Sequence, residues 1–152
     1  MRVASWMQYE CGIEGILYWE IVHWQNLADP YKDLTYNNFG SGGEGILLYP
    51  GARYGLKTPV SSIRLEQIRA GQQDYEYIYM LNEYLVANDI DVTAKEIVAK
   101  IGEDFYGADY RFYEDPSEKL FEEYRIQVLD ILQDFADGNV DDAKTKINQI
   151  LN

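Results

Sequence analysis

With 152 residues, 47% of them hydrophobic and 14% aromatic, the chain has the size and composition of one folded domain, which excludes a disordered chain. A net charge of −13 repels phosphate backbones and anionic lipid, so neither nucleic-acid nor membrane binding is expected. One cysteine (Cys11) and one histidine (His23) exclude an internal disulfide and a Cys/His zinc site, so no metal is expected.

The first residues lack the apolar core and cleavage site of a signal peptide, and no apolar run reaches transmembrane length. Localisation therefore stays unknown. Val3 to Glu10 reads as a short helix, with Val3, Trp6, Met7 and Cys11 on one side. No capping residue precedes it, as though the sequence began inside a helix, and Gly12 ends it. Cys11, beside that glycine, reads as a small buried residue.

Ile13 to Ile21 is apolar and aromatic through its middle, the pattern of a strand buried on both faces, as in a parallel sheet. Val22 to Glu44 is loop-like, and a connection this long is usually functional or disordered. Its rings, Trp24, Tyr31, Tyr36 and Phe39, favour a folded loop that binds something. Gly45 to Tyr49 is a second buried strand, stopped by Pro50-Gly51. The glycines at 40, 42 and 43 precede a strand and are not followed by Lys-Ser/Thr, so nucleotide binding is set aside and no cofactor is expected.

Ser61 and Ser62 can cap a helix running to about Asn88, with Ile68, Gly71, Tyr75, Ile78, Leu81 and Leu85 on one face. Arg64, Glu66, Arg69, Asp74 and Glu76 alternate in sign along it, beside a glycine that a helix interior normally avoids. Taken alone, this is a solvated, ion-paired face. A helix from Val92 to Ile101 carries a Thr93/Glu96 capping box, and Asp104 to Tyr113 is aromatic and irregular. Asp115-Pro116-Ser117-Glu118 starts a helix bearing Phe121, Tyr124, Val128, Ile131 and Phe135, which Gly138-Asn139 breaks. A last helix runs from about Asp141 to Leu151. Thirteen acidic against three basic residues between Glu103 and Asp142 place −10 of the charge in this helical third, a solubilising face. The composition changes near Asn88, which divides the chain into 1–88, with strands and long loops, and 89–152, helical and packed on the first part.

Several words occur in a fixed order. They are Gly12-Ile13-Glu14-Gly15-Ile16-Leu17-Tyr18-Trp19, Asp29-Pro30-Tyr31, the run from Gly43 to Gly51, Ser62-Ile63-Arg64-Leu65-Glu66, and Arg69-x-Gly71-x-x-Asp74-Tyr75-Glu76-Tyr77. Over Val3 to Leu85 the sequence resembles the C-terminal part of the β-N-acetylgalactosaminidase family of glycoside hydrolases. The family is also catalogued as a bacterial domain of unknown function. Relatives often carry an acidic residue where this chain has Ala70. The resemblance implies an α/β architecture, with two parallel strands closing a (β/α)₈ barrel before an α-helical tail. Such a barrel needs about 250 residues.

The resemblance also implies retaining hydrolysis of N-acetylated amino-sugar glycosides, assisted by the substrate's own acetamido group. One carboxylic acid protonates the leaving oxygen while a neighbouring carboxylate orients the acetamide. In the family those groups form an adjacent Asp-Glu pair. Here Glu103-Asp104 has the reversed order and Glu14 lies in the wrong part of its strand, so the pair is expected upstream of Met1 and no catalytic residue is assigned. The chain alone would then be inactive, and its parent an exported enzyme.

What remains is a wall of the site at the strand ends: Tyr18, Trp19, Glu20, Trp24 and Tyr49, with rings to stack on a sugar and a carboxylate to accept hydroxyl hydrogen bonds. Strand parity puts Tyr18 and Glu20 on one face and Trp19 on the other. Arg64, Glu66, Arg69, Gly71 and Asp74 become structural, with Gly71 permitting close packing. Both arginines are then held by Glu66, Asp74 or loop carbonyls. Exposed strand edges favour a homo-oligomer. Two other readings stand beside this one: a non-catalytic carbohydrate-binding or protein-interaction module, and a purely structural helical piece.

Overall fold

The computed structural model describes residues 2–23, 27, 29–32, 45–113 and 117–152. They form α1 (Arg2–Cys11), β1 (Leu48–Tyr49), a 3₁₀ turn (Gly51–Tyr54), β2 (Val60–Ser61), α2 (Ile63–Ala87), α3 (Ala94–Gly102), α4 (Glu118–Ala136) and α5 (Val140–Leu151). The fold is mostly helical. Two compact units divide it, one of residues 1–14 with 70–152 and one of residues 15–69. Asn88, where the composition changes, lies inside the first.

The helices of the first unit begin and end where their terminal chemistry places them. After α1, the Gly12 amide donates to the Tyr9 carbonyl and the Ile13 amide to that of Gln8. This closure needs a left-handed residue, and Gly12 supplies it at φ +66°. The same pair of bonds ends α4 at Gly138 and α2 at Asp89, a non-glycine residue at φ +52°. The capping box forms at α3: Thr93 Oγ1 accepts from the Glu96 amide while Glu96 returns a bond to the Thr93 amide. Ser117, two residues past the expected Asp115, caps α4 by accepting from the Leu120 amide. One continuous core gathers the apolar stripes, from Trp6 of α1 through Ile78, Leu81 and Leu85 of α2 to Ile147 and Ile150 of α5. Rings are packed edge-on at Trp6–Phe121 and stacked at Tyr84–Phe135.

Gly71 sits where α1 meets α2. A Cβ there would run into Ser5 Oγ, so the two helices approach where glycine leaves the space. Cys11, expected inside, is exposed, because the helix ends on it and turns its side chain out of the core.

The second unit departs most from expectation. The strands pair antiparallel, not parallel: Leu48 lies opposite Ser61 and Tyr49 opposite Val60. A further antiparallel bridge joins Val22 to Ile46, and the Leu47 amide donates to the Ile21 carbonyl. Such pairing needs only a short connection, whereas parallel neighbours need a crossover of a dozen or more residues. Of Ile13 to Ile21, expected to be a buried strand, Ile13 to Tyr18 has no regular structure, and Leu17 is 89% exposed. A strand persists only where neighbours satisfy its backbone, and apolar residues alone do not supply them. Trp24, Tyr36, Phe39 and the glycines at 40, 42 and 43 lie outside the described residues.

Candidate functional site

The sequence-derived wall residues fall in the second unit. Glu20 Oε1 accepts from the backbone amides of Ile21 (2.9 Å) and Val22 (3.3 Å), which holds its carboxyl below the ordinary value. Glu20 is thus an ionised acceptor turned onto its own backbone. Trp19 is half exposed and packs edge-on against His23, with ring centroids 4.7 Å apart. Tyr18 is half-buried, and its hydroxyl accepts from the Gly45 amide at 3.3 Å. Gly45 stands at φ +75°, and a Cβ there would come within 2.7 Å of the Trp19 ring. Trp19, His23 and Gly45 are therefore one packed corner, which the sequence positions 19, 23 and 45 do not announce. Trp24 lies outside the described residues.

Tyr49, the fifth wall residue, ends β1 and is half-buried. Its hydroxyl accepts from Arg64 Nη2 at 2.9 Å, while Arg64 Nε donates to the Ile46 carbonyl at 3.0 Å. Arg64 so ties the start of α2 to the strand, bonded to the Ile46 carbonyl and to a phenol. The ring of Tyr31 stacks on Tyr49 at 4.8 Å, and its hydroxyl donates to the Pro50 carbonyl. Desolvation, and next the nearby Tyr54 phenol, push the Tyr31 pKa up. Arg53 lies 5.1 Å over the Tyr31 ring and grips both Asp29 oxygens through Nη1, at 2.9 and 3.0 Å. Arg53 and Tyr54 escape a reading by periodicity because they stand in a 3₁₀ turn. Their only signal is the glycine-flanked Gly51-Ala52-Arg53-Tyr54-Gly55 after the strand end, whereas Asp29 stands in the word Asp29-Pro30-Tyr31.

The remaining structural candidates separate sharply. Glu66 and Arg69 form an i,i+3 pair at 2.7 Å, with the Arg69 side chain 74% exposed. Asp74 is buried in the first unit and faces two guanidiniums, Arg2 Nε at 2.9 Å and Arg125 Nε at 2.8 Å, with the Trp6 indole N–H at 3.4 Å. Glu122 faces the same two arginines, with Arg2 Nη1 at 2.5 Å. Asp74 is therefore the centre of a charge cluster, and its partners are neither Arg64 nor Arg69. The two carboxylates of the reversed pair are both engaged: Glu103 with Lys100 at 2.8 Å, and Asp104 as acceptor from Tyr124 at 2.6 Å.

Residues 1–81 match the family model of the glycoside hydrolase 123 catalytic domain. The chain belongs to this family. No curated protein and no solved structure matches it. The glycoside hydrolase 123 match ends inside α2, so it takes in α1, the corner of Trp19 and His23, the stacked tyrosines and Asp74. Among the described residues no cluster of three or more His, Cys, Asp or Glu has the arrangement of a metal site, and no helix is long and apolar enough to cross a membrane.

Proposed function

We propose that this chain forms part of the substrate-side wall of a glycoside hydrolase acting on glycosides of N-acetylated amino sugars. Membership of the glycoside hydrolase 123 catalytic-domain family carries this reading. The substrate's acetamido oxygen attacks the anomeric carbon as the glycosidic bond breaks, a carboxylic acid protonates the departing oxygen, and water then opens the cyclic intermediate with retention. A neighbouring carboxylate holds the acetamide N–H during both steps.

Those two acids come from outside these 152 residues, whose sequence contains no Asp followed by Glu. Glu103 and Asp104 are committed to Lys100 and Tyr124. The chain's own contribution is binding: exposed Trp19 offers a ring face to a sugar, and ionised Glu20 offers a hydroxyl acceptor. In this reading Gly15 to Ile21, apolar and largely exposed, is the edge to which the remaining strands of the barrel add. Where they do not, that edge pairs with a second copy.

A chromogenic N-acetyl-β-galactosaminide tests the division of labour. The expected result is no turnover by this chain, together with saturable binding of N-acetylgalactosamine that weakens in Trp19→Ala. Turnover would show that the acids lie within these residues after all.

A further inference from the structure

Three tyrosines in the second unit are held in an order that makes only the outermost ring available. Tyr49 is fixed at its hydroxyl by Arg64 and covered on one face by Tyr31, whose plane lies 24° from its own. Tyr31 is fixed in turn by the Pro50 carbonyl and by Arg53 on its ring. Tyr54 closes the series, edge-on to Tyr31 at 5.5 Å and 89°, and is itself 61% exposed.

The turn that carries Tyr54 is equally fixed. A Cβ on Gly51 would collide with the Thr58 carbonyl, and Gly55 turns the chain at φ +70°. Asp29 closes the far side: its Oδ1 accepts from the Tyr31 amide at 3.0 Å, and both its oxygens hold Arg53. An exposed tyrosine alone means little. Here the ring meets a stack of immobilised neighbours, so a ligand on it has to order Tyr54 alone and not the rings beneath.

We propose that Tyr54, with the neighbouring Arg53 guanidinium over Tyr31, is a second sugar-stacking shelf, distinct from the Trp19 and Glu20 wall and resting on the amino-sugar reading above. The ring takes the apolar C–H face of a pyranose. Arg53 meets Asp29 through Nη1 alone among the described residues, so Nε and Nη2 are the donors for sugar hydroxyls or an acetamido carbonyl. A phosphorylated ligand fits poorly: the chain carries −13, and Asp29 sits beside the one guanidinium at the shelf.

Saturation-transfer NMR on the whole chain, with N-acetylgalactosamine and galactose as separate probes, tests the shelf in wild type, Tyr54→Ala, Tyr54→Phe and Trp19→Ala. Tyr54→Ala is expected to weaken N-acetylgalactosamine binding about three- to tenfold, with Tyr54→Phe near wild type. Its melting temperature should be unchanged. Equal binding by wild type and Tyr54→Ala overturns the shelf while the loss in Trp19→Ala keeps the amino-sugar reading. Tyr54-dependent binding of galactose equal to that of N-acetylgalactosamine keeps the shelf and overturns the amino-sugar reading. No binding of either sugar by wild type overturns both.

Discussion

The two units treat apolar and charged residues in opposite ways. The first buries a continuous core and, within it, the carboxylate of Asp74, matched by two guanidiniums and an indole N–H. The second, among its described residues, buries only Ile46 and Leu47 as large apolar side chains and leaves Ile16, Leu17, Trp19, Tyr54 and Leu56 substantially exposed. A unit that satisfies its own interior is architecture. One that holds rings outward on fixed supports is where a ligand gains surface. Most of the second unit's order comes from specific polar ties (Arg64 to Tyr49, Tyr31 to Pro50, Arg53 to Asp29) rather than from burial.

The contrast breaks hardest at Asp74. Asp74→Ala leaves Arg2 and Arg125, both largely buried, with only the half-exposed Glu122 as counter-charge, and should lower unfolding free energy by about 3–5 kcal/mol in denaturant titration. A loss below about 1 kcal/mol would return the cluster to the ordinary surface class. Gly71→Ala comes next. The added methyl meets Ser5 Oγ and should cost about 1–3 kcal/mol, and Ser5→Ala in the same chain should recover part of it.

A third test acts through pH. Tyr124 donates to Asp104, and that bond, followed by burial, pushes its pKa from 10.0 up to about 12. Because the folded value is the higher, its stabilisation is complete below about pH 10 and is lost as pH rises towards 12. Tyr124 should be among the late-titrating phenols of an absorbance titration, and Asp104→Ala should move that one group back towards 10 while leaving the others late. The smallest effects belong to exposed positions. Arg69→Ala and Leu17→Ser should each change stability by less than about 0.5 kcal/mol, since one breaks an exposed pair and the other removes a side chain already in water.

The sequence made the helices legible because their signals are local. Gly12, Gly138 and the Thr93/Glu96 box act within one turn, and the apolar stripe of α2 repeats every three or four residues. The family was legible in its words, from Gly12-Ile13 to Asp74-Tyr75. The charge pairing was not. Arg69 and Asp74 looked equivalent on one helix, yet Asp74's partners stand 72 and 51 residues away in sequence, beyond any periodic signal. Ile13 to Ile21 misled for another reason. An apolar run reports what a segment would bury, and its partners decide whether it does. The unbroken apolar run of Ile13 to Ile21 points to parallel strands, as does the barrel likeness, and antiparallel pairing across residues 46–61 overrides both. Of the candidate site, Trp19 and Glu20 are named from the end of a strand that does not form, whereas Arg53 and Tyr54 depend on the geometry of a turn.

The chain leaves the helical unit at Glu14 and rejoins it at Ala70, so covalent order and structural membership diverge. Before α1 can dock, the residues between must be closed into a loop, at an entropic cost that grows only logarithmically with length, about 3–4 kcal/mol beyond a constant. Trp6 in the core and Arg2 on Asp74 are the contacts that offset it. Assembly of this unit is therefore a non-local event: α2, α3, α4 and α5 can associate through near-sequence contacts, but the carboxylate of Asp74 lacks one of its two guanidiniums until the distant first helix arrives.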